Sequence, residues 1–156
     1  MWKKVKPYVI SIAIALGVGG LSAFLARKSM DVYMTIKQPL LAPPPILFPI
    51  VWSLLFVLMG VGSALVYEKE KSAKSGEALR IYSFQLIVNF FWSIIFFNLR
   101  AYFFAFVWLV LLWCLVVWMI LKFKEISSAA AYLQIPYLVW ITFAGYLNLM
   151  IFILNR

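Results

Sequence analysis

Histidine is absent from this 156-residue chain, and cysteine occurs once, as Cys114. Without histidine there is no Ser-His-Asp or Cys-His catalytic arrangement and no histidine ligand for zinc or haem iron. A single cysteine also excludes an intrachain disulfide and a cysteine-based metal site. We therefore expect no metal site and no catalytic residue of these classes.

Acidic residues are scarce as well. They lie in predicted loops or at the ends of predicted helices: Asp31, Glu68, Glu70, Glu77 and Glu125. Proton-driven pumps and small multidrug exporters typically depend on a carboxylate embedded in the membrane, and the predicted spans offer none. Transport of that kind is therefore disfavoured.

Apolar residues dominate the composition. Hydrophobic residues make up 66% of the chain and charged residues 12%, against about 45–50% and about 25% in soluble domains. A soluble fold of this size has too little interior for so much apolar surface, whereas a bilayer solvates it. The net charge of +9 comes from short basic tracts between apolar runs. Because no basic helix or nucleic-acid-binding motif is present, we expect no nucleic-acid partner.

Five apolar segments reach the length of about 20 residues that a transmembrane helix needs. They cover residues 5–26, 46–67, 79–99, 102–121 and 129–154. The first is too long for the core of a signal peptide, and no convincing cleavage site follows it, so we expect it to be retained. The sequence thus predicts an all-α membrane protein, in which residues 1–156 form a single domain, a five-transmembrane-helix bundle.

Residues 27–45 are the one long connection, a Pro-rich first loop. The consecutive prolines Pro43, Pro44 and Pro45 exclude a helix there and favour extended backbone. Nine basic residues lie on the side of the N-terminus and five on the side of this loop. By the positive-inside rule, the N-terminus is cytoplasmic and the loop lies outside.

Polar side chains mark one face of the third segment. Its members recur at spacings of three and four, which places them together on a helix: Gln85, Asn89, Trp92, Ser93 and Phe96. Because an amide in hydrocarbon needs a partner, this face should point into the bundle. Asn89 then either makes hydrogen bonds between helices only or lines a cavity.

The second and fifth segments carry faces of a similar kind. Trp52 and Phe56 lie on one broad face of the second segment, and Trp140 and Ala144 lie four residues apart in the fifth. Pro136 is expected to kink the fifth helix. The fourth segment is apolar on all sides, and we interpret it as a lipid-facing scaffold.

These aromatic and polar residues fall between the middle of the membrane and the side of the first loop. The simplest arrangement is an aromatic pocket between the second, third and fifth helices, with residues 27–45 as its lid. An apolar pocket with a few polar groups suits a flat hydrophobic ligand. Indole rings would stack on such a ligand, and indole N–H groups would donate to its oxygen atoms.

Three stretches carry a resemblance to a known family: residues 37–60 (KQPLLAPPPILFPIVWSLLFVLMG), 85–97 (QLIVNFFWSIIFF) and 136–148 (PYLVWITFAGYLN). The order and spacing of these stretches, and the five-helix plan around them, resemble the translocator protein family, also called TspO/MBR or peripheral benzodiazepine receptor. The sequence is similar to the bacterial members of that family. The resemblance implies a homodimer in the bacterial cell membrane, surrounded by lipid, with no required cofactor.

The resemblance also implies a function and a site. The expected function is that of a membrane receptor, sensor or carrier, which binds porphyrins such as protoporphyrin IX and other hydrophobic ligands below the first loop. The family's ligand-binding positions fall on these residues: Tyr33, Pro43, Pro44, Trp52, Phe56, Asn89, Trp140 and Ala144. Trp92 joins them through its place on the polar face of the third segment.

Two departures from the family's pattern narrow this expectation. The loop lacks the tryptophan that members often have near Leu41 and the Gly-Trp pair near Pro45. The five residues after Tyr146 include no basic residue, so the sterol-recognition pattern ascribed to animal members is absent. We therefore expect porphyrin binding rather than sterol transport.

Two alternatives stay open. Some bacterial relatives are described as promoting light-dependent oxidative breakdown of porphyrins through pocket tryptophans, and Trp52 and Trp140 occupy those positions. The protein would then be an enzyme, although binding without catalysis is the main expectation. The second alternative is a structural dimer without a ligand, since Gly19 and Ala23 have the spacing that permits close contact between membrane helices. Packing inside one bundle explains the same spacing.

Overall fold

Helices account for nearly all of the secondary structure. The computed structural model describes residues 1–69 and 71–156. These residues form seven α-helices: α1 (Trp2–Ala26), α2 (Met30–Tyr33), α3 (Leu47–Lys69), α4 (Ala73–Ser93), α5 (Tyr102–Lys124), α6 (Ser128–Tyr132) and α7 (Ile135–Asn155). A 3₁₀ turn, Arg27–Ser29, joins α1 to α2, and a π-helical turn, Ile94–Asn98, continues α4. Five stretches are long and apolar enough to span a membrane, which confirms the predicted all-α fold with five transmembrane helices.

The first span continues as a helix well into the predicted first loop. Helical backbone runs through Arg27–Ser29 and α2 as far as Tyr33. No proline or glycine occurs between residues 27 and 38, so the sequence contains no helix breaker in this stretch. The prediction of a loop from residue 27 is therefore wrong for residues 27–33, and the connection to α3 is residues 34–46.

α4 begins at Ala73, earlier than the predicted residue 79. Ser72 caps it, since the Ser72 hydroxyl accepts a hydrogen bond from the Ser75 N–H (3.5 Å) and the Ser72 N–H donates to the Ser75 hydroxyl (3.1 Å). This reciprocal pair is a capping box. Hydropathy missed the first turns because they are polar and precede the apolar run. Glu70, which the sequence places in the preceding loop, lies outside the described residues.

The fifth predicted helix is broken in two. α6 ends at Tyr132 and α7 starts at Ile135, so Pro136 lies in the first turn of α7, where a missing N–H costs no hydrogen bond. Pro136 therefore begins a helix, and the prediction that it kinks one is wrong. The break is tied to α3, because Gln134 Nε2 donates to the Leu58 carbonyl (3.1 Å).

α1 and α3 pack closely through glycine. A Cβ atom on Gly60 would lie 2.5 Å from the Ile12 Cα, and one on Gly19 would overlap the Phe56 ring. Small residues at such positions let two membrane helices approach each other. Gly19 thus serves packing inside the chain's own bundle, which is one of the two uses expected of it.

α5 is a scaffold on the outside of the bundle. One side of it packs against α4, α6 and α7. Trp108 Nε1 donates to the Val88 carbonyl in α4 (2.7 Å), and Trp113 Nε1 donates to the Thr142 hydroxyl in α7 (2.9 Å). Trp118 is exposed. Two of its tryptophans therefore pack against neighbouring helices, and the third faces outward.

Candidate functional site

A cavity of about 340 Å³ lies inside the bundle, walled by α1, α3, α4 and α7. Its volume falls in the range of about 300–1,000 Å³ that is usual for small-molecule pockets. The lining includes Tyr33, Phe48, Phe97 and Ile151, which lie near the ends of their helices on the side of residues 34–46. The cavity therefore occupies the half of the bundle that adjoins the Pro-rich connection.

Most of the predicted site residues meet in this cavity: Tyr33, Trp52, Phe56, Asn89, Trp92, Trp140 and Ala144. Pro43 and Pro44 do not line it, because they lie in the connection between α2 and α3, where Pro44 is exposed. The structure thus brings the aromatic and amide positions together and leaves the proline pair outside. Ligand binding by these residues stays a prediction.

Asn89 belongs to a buried chain of hydrogen bonds across the bundle. Its Nδ2 donates to the Tyr137 hydroxyl (2.7 Å), which donates to Gln85 Oε1 (2.7 Å). In this arrangement the Tyr137 hydroxyl accepts from one amide and donates to the other, and the Asn89 amide points its N–H at the hydroxyl. Asn89 Oδ1 has no partner among the described residues, so it is the acceptor that this side chain offers to the cavity. Asn89 therefore both bonds between helices and lines the cavity.

Trp92 presents its ring to the cavity and uses its N–H elsewhere. Its Nε1 donates to Asn148 Oδ1 (3.1 Å), and Asn148 Nδ2 donates to the Tyr102 carbonyl (2.8 Å). The Trp92 ring stacks on Phe96, with ring centroids 5.1 Å apart and an angle of 25° between the planes. Tyr33 extends this wall, since its ring centroid lies 5.9 Å from that of Phe96. Trp92 therefore has no free indole N–H for a ligand while this bond is made.

Trp140 has a free indole N–H. Its Nε1 is buried and has no hydrogen-bond partner within residues 1–69 and 71–156. The ring packs against Phe48, with centroids 5.9 Å apart and planes at 66°. Leaving a buried N–H unpaired costs on the order of 1–3 kcal/mol. The Trp140 residue lines the cavity, but its N–H is covered, so a ligand acceptor would reach the N–H only if the ring turned. Trp140 is the candidate donor to a ligand on that condition.

α7 fastens the connection between α2 and α3 across the end of the bundle. Asn155 Oδ1 accepts from the Lys37 backbone N–H (2.9 Å), and Asn155 Nδ2 donates to the Lys37 carbonyl (3.0 Å). The Tyr146 hydroxyl donates to the Leu40 carbonyl (2.8 Å). The part of the predicted lid that reaches the cavity is its helical start, through Arg27 and Tyr33.

α1 forms a wall of the cavity that the sequence did not predict. Gly19, Ser22, Ala23 and Ala26 line it, at spacings of three and four that place them on one helix face. The signal in the sequence is this run of small residues, which leaves space beside a helix. Close packing of helices needs the same signal, so it could not identify a ligand wall by itself.

Comparison with known proteins agrees with this architecture. Residues 10–154 match the model of the TspO/MBR family. Over 149 residues the chain is 37% identical to the tryptophan-rich protein TspO of Chlorobaculum tepidum, which covers 94% of this chain and 92% of that protein. Over 127 residues it is 34% identical to protein CrtK of Rhodobacter capsulatus, and this match covers 79% of this chain and 78% of CrtK. Over 149 residues it is 35% identical to the translocator protein of Ovis aries, and this match covers 91% of this chain and 88% of that protein. This five-helix membrane protein therefore belongs to the TspO/MBR family.

Proposed function

We propose that the protein is a membrane receptor, sensor or carrier that binds porphyrins of the protoporphyrin IX type, and other flat hydrophobic molecules, in this cavity. The observation that carries the proposal is a pair of aromatic walls in one cavity with few polar atoms. Relatives include a tryptophan-rich sensory protein of Cereibacter sphaeroides and the translocator protein of Bos taurus. Those names fit sensing or carriage.

The aromatic walls suit a planar π system. Trp92 and Phe96 form one stacked pair. Trp52 and Phe56 form the other wall, with ring centroids 5.7 Å apart and planes at 30°. Each favourable contact between aromatic rings adds about 0.5–1.5 kcal/mol beyond the burial of area. A porphyrin presents a broad flat surface to such walls.

Two polar groups would orient the ligand within the cavity. Trp140 Nε1 is a donor without an acceptor, and Asn89 Oδ1 is an acceptor without a donor. A small number of placed polar groups in an apolar pocket fixes the pose of a ligand more than it adds affinity. In the proposed complex, these two groups meet polar atoms of the ligand, and the aromatic walls supply most of the contact area.

The proposed setting is a bacterial cell membrane, in which the N-terminus is cytoplasmic and the cavity lies in the outer half of the bundle. The excess of basic residues on the side of the N-terminus supports this orientation. The ligand would then reach the cavity from the outer half of the membrane or from outside the cell. Association into a homodimer is part of the proposal.

A porphyrin titration tests the proposed function. Protoporphyrin IX is expected to quench the tryptophan fluorescence of the purified protein saturably. A variant with both Trp52→Phe and Trp140→Phe should bind about ten-fold more weakly, because two indole faces shrink to phenyl faces and the free N–H is lost. Trp118→Phe is the matched control, since Trp118 is exposed on α5 and lies outside the cavity. Equal affinity of the double variant and the control variant would contradict the site assignment.

The alternative is an enzyme that oxidises bound porphyrin with molecular oxygen under light. It is favoured by one observation, the presence of Trp52 and Trp140 in the lining of the same cavity. Illumination of the porphyrin complex in air, followed by absorbance spectroscopy, separates catalysis from binding. If the wild type and the Trp-substituted variant bleach porphyrin at the same rate when both are saturated, and give the same products, the hypothesis of an enzyme that uses these tryptophans fails.

A further inference from the structure

An arginine lies at the rim of the cavity. Arg27 is the one charged side chain among the described residues that line it. It lies in the 3₁₀ turn Arg27–Ser29 between α1 and α2, close to the connection 34–46. Asn89 and Trp140, the other polar groups discussed above, are neutral. The cavity is therefore electrically asymmetric, with a neutral interior and a cationic rim.

The guanidinium of Arg27 is held in place by its own helix. Nη1 donates to the Phe24 carbonyl (2.6 Å), and the guanidinium carbon lies 3.7 Å from the centroid of the Phe24 ring. A cation over an aromatic face is attracted by the electrons of the ring. Phe24 is exposed and lies outside the cavity lining, so the guanidinium must leave the Phe24 ring to contact a ligand at the rim. Its N–H groups other than the one bonded to the Phe24 carbonyl are available to a further acceptor.

No carboxylate in the described part of the chain pairs with Arg27. The ion pair found there joins Lys122 to Glu77, which belong to the opposite end of the bundle. Around Arg27, the same end of the bundle carries Lys28, Lys37 and one carboxylate, Asp31. Three cations against one anion leave a positive excess at the mouth of this apolar cleft, and such an excess attracts ligands of the opposite sign.

We propose that Arg27 binds a carboxylate of the ligand, so that the cavity selects flat apolar molecules that carry a carboxylate at one edge. This inference rests on the proposed function and adds to it the class of ligand and its orientation. The planar fork of arginine matches the two oxygen atoms of a carboxylate. The carboxylate lies at the rim beside Arg27, and the apolar ring system extends inward between the aromatic walls.

The test compares protoporphyrin IX, which has two carboxylates, with its dimethyl ester, which has none. Both are titrated against the wild type, Arg27→Gln and Lys28→Gln in a maltoside detergent, which contains no phosphate. Lys28→Gln is the matched control, because it removes one positive charge at the neighbouring exposed residue, which is outside the cavity lining. Each porphyrin partitions into the micelles to the same extent in every titration. For one porphyrin, the ratio of its dissociation constants for two variants is therefore independent of this partition.

The wild type is expected to prefer the diacid over the diester by about ten-fold, the size of a hydrogen bond to a charged group. Arg27→Gln should lose this preference and still bind the diester like the wild type, which also shows that the variant is folded. Lys28→Gln should keep the preference. Equal binding of both porphyrins by the wild type would overturn the inference, and so would retention of the preference by Arg27→Gln or an equal loss in Lys28→Gln.

Two further outcomes separate the possible failures. If neither porphyrin binds the wild type saturably, the proposed function fails as a whole. A lipid phosphate is another source of anionic oxygen at this depth of the membrane. Monomeric short-chain phosphatidylglycerol is therefore added in a second series. The preference for the diacid is expected to persist, and its complete loss at low lipid concentration would make Arg27 a headgroup site and overturn the inference.

Discussion

Ala144→Phe is expected to abolish porphyrin binding while the bundle stays folded. Ala144 lies on α7 and lines the cavity between the aromatic walls. A phenyl ring there would extend into the cavity and occupy the space that the ligand needs. The dissociation constant should rise by more than about 100-fold, because a steric clash excludes the ligand from its contact surface. Quenching of tryptophan fluorescence by protoporphyrin IX measures it.

Val139→Phe is the matched control for that substitution. Val139 is on the same helix, and 63% of it is exposed, so the same added ring would face outward. We expect this variant to bind porphyrin like the wild type. If Ala144→Phe also binds like the wild type, and both variants are folded, the ligand does not occupy this cavity.

Tyr137→Phe is expected to cause the largest loss of stability among substitutions that remove a single atom. Tyr137 is fully buried, and its hydroxyl joins the Asn89 and Gln85 amides. The substitution keeps the ring but leaves one amide donor and one amide acceptor unpaired. Each unpaired buried group costs about 1–3 kcal/mol, and polar groups in membranes recover part of this with new partners. We expect a net loss of about 2 kcal/mol in the free energy of unfolding.

Denaturation in mixed micelles, followed by circular dichroism, measures this loss. Tyr132→Phe removes the same atom from a tyrosine that is 61% exposed at the end of α6, and it should leave stability unchanged. Equal stability of the two variants would show that the hydrogen-bond chain through Tyr137 does not hold the bundle together.

Hydropathy predicts the spans of this protein well because the bilayer imposes one length and one chemistry on every transmembrane helix. It predicts their ends less well. α4 starts in polar residues that precede the apolar run, where the capping pair Ser72 and Ser75 is the informative signal. The first span continues to Tyr33 because no proline or glycine interrupts residues 27–33, and hydropathy does not register that absence.

The sequence predicts those parts of the candidate site whose residue types are uncommon inside a membrane span. Trp52, Asn89 and Trp140 are conspicuous between the middle of the membrane and the side of the first loop, and their helix periodicity indicates faces that meet. The wall from α1 is made of small residues whose signal is shared with ordinary packing. Arg27 is indistinguishable in sequence from any basic residue beside a span, and only the helical course of residues 27–33 brings it to the cavity.

The most direct measurement of porphyrin binding in the cavity is the nuclear magnetic resonance spectrum of the indole N–H groups. The chain contains seven tryptophans, so an ¹⁵N-labelled sample gives seven resolvable indole signals that single Trp→Phe variants assign. On saturation with protoporphyrin IX, the Trp140 signal should move most, because its free N–H gains an acceptor and lies beside the porphyrin ring. The Trp52 signal should also move, whereas Trp118, exposed on α5, should stay in place. A saturating titration in which Trp52 and Trp140 are unchanged would contradict porphyrin binding in this cavity.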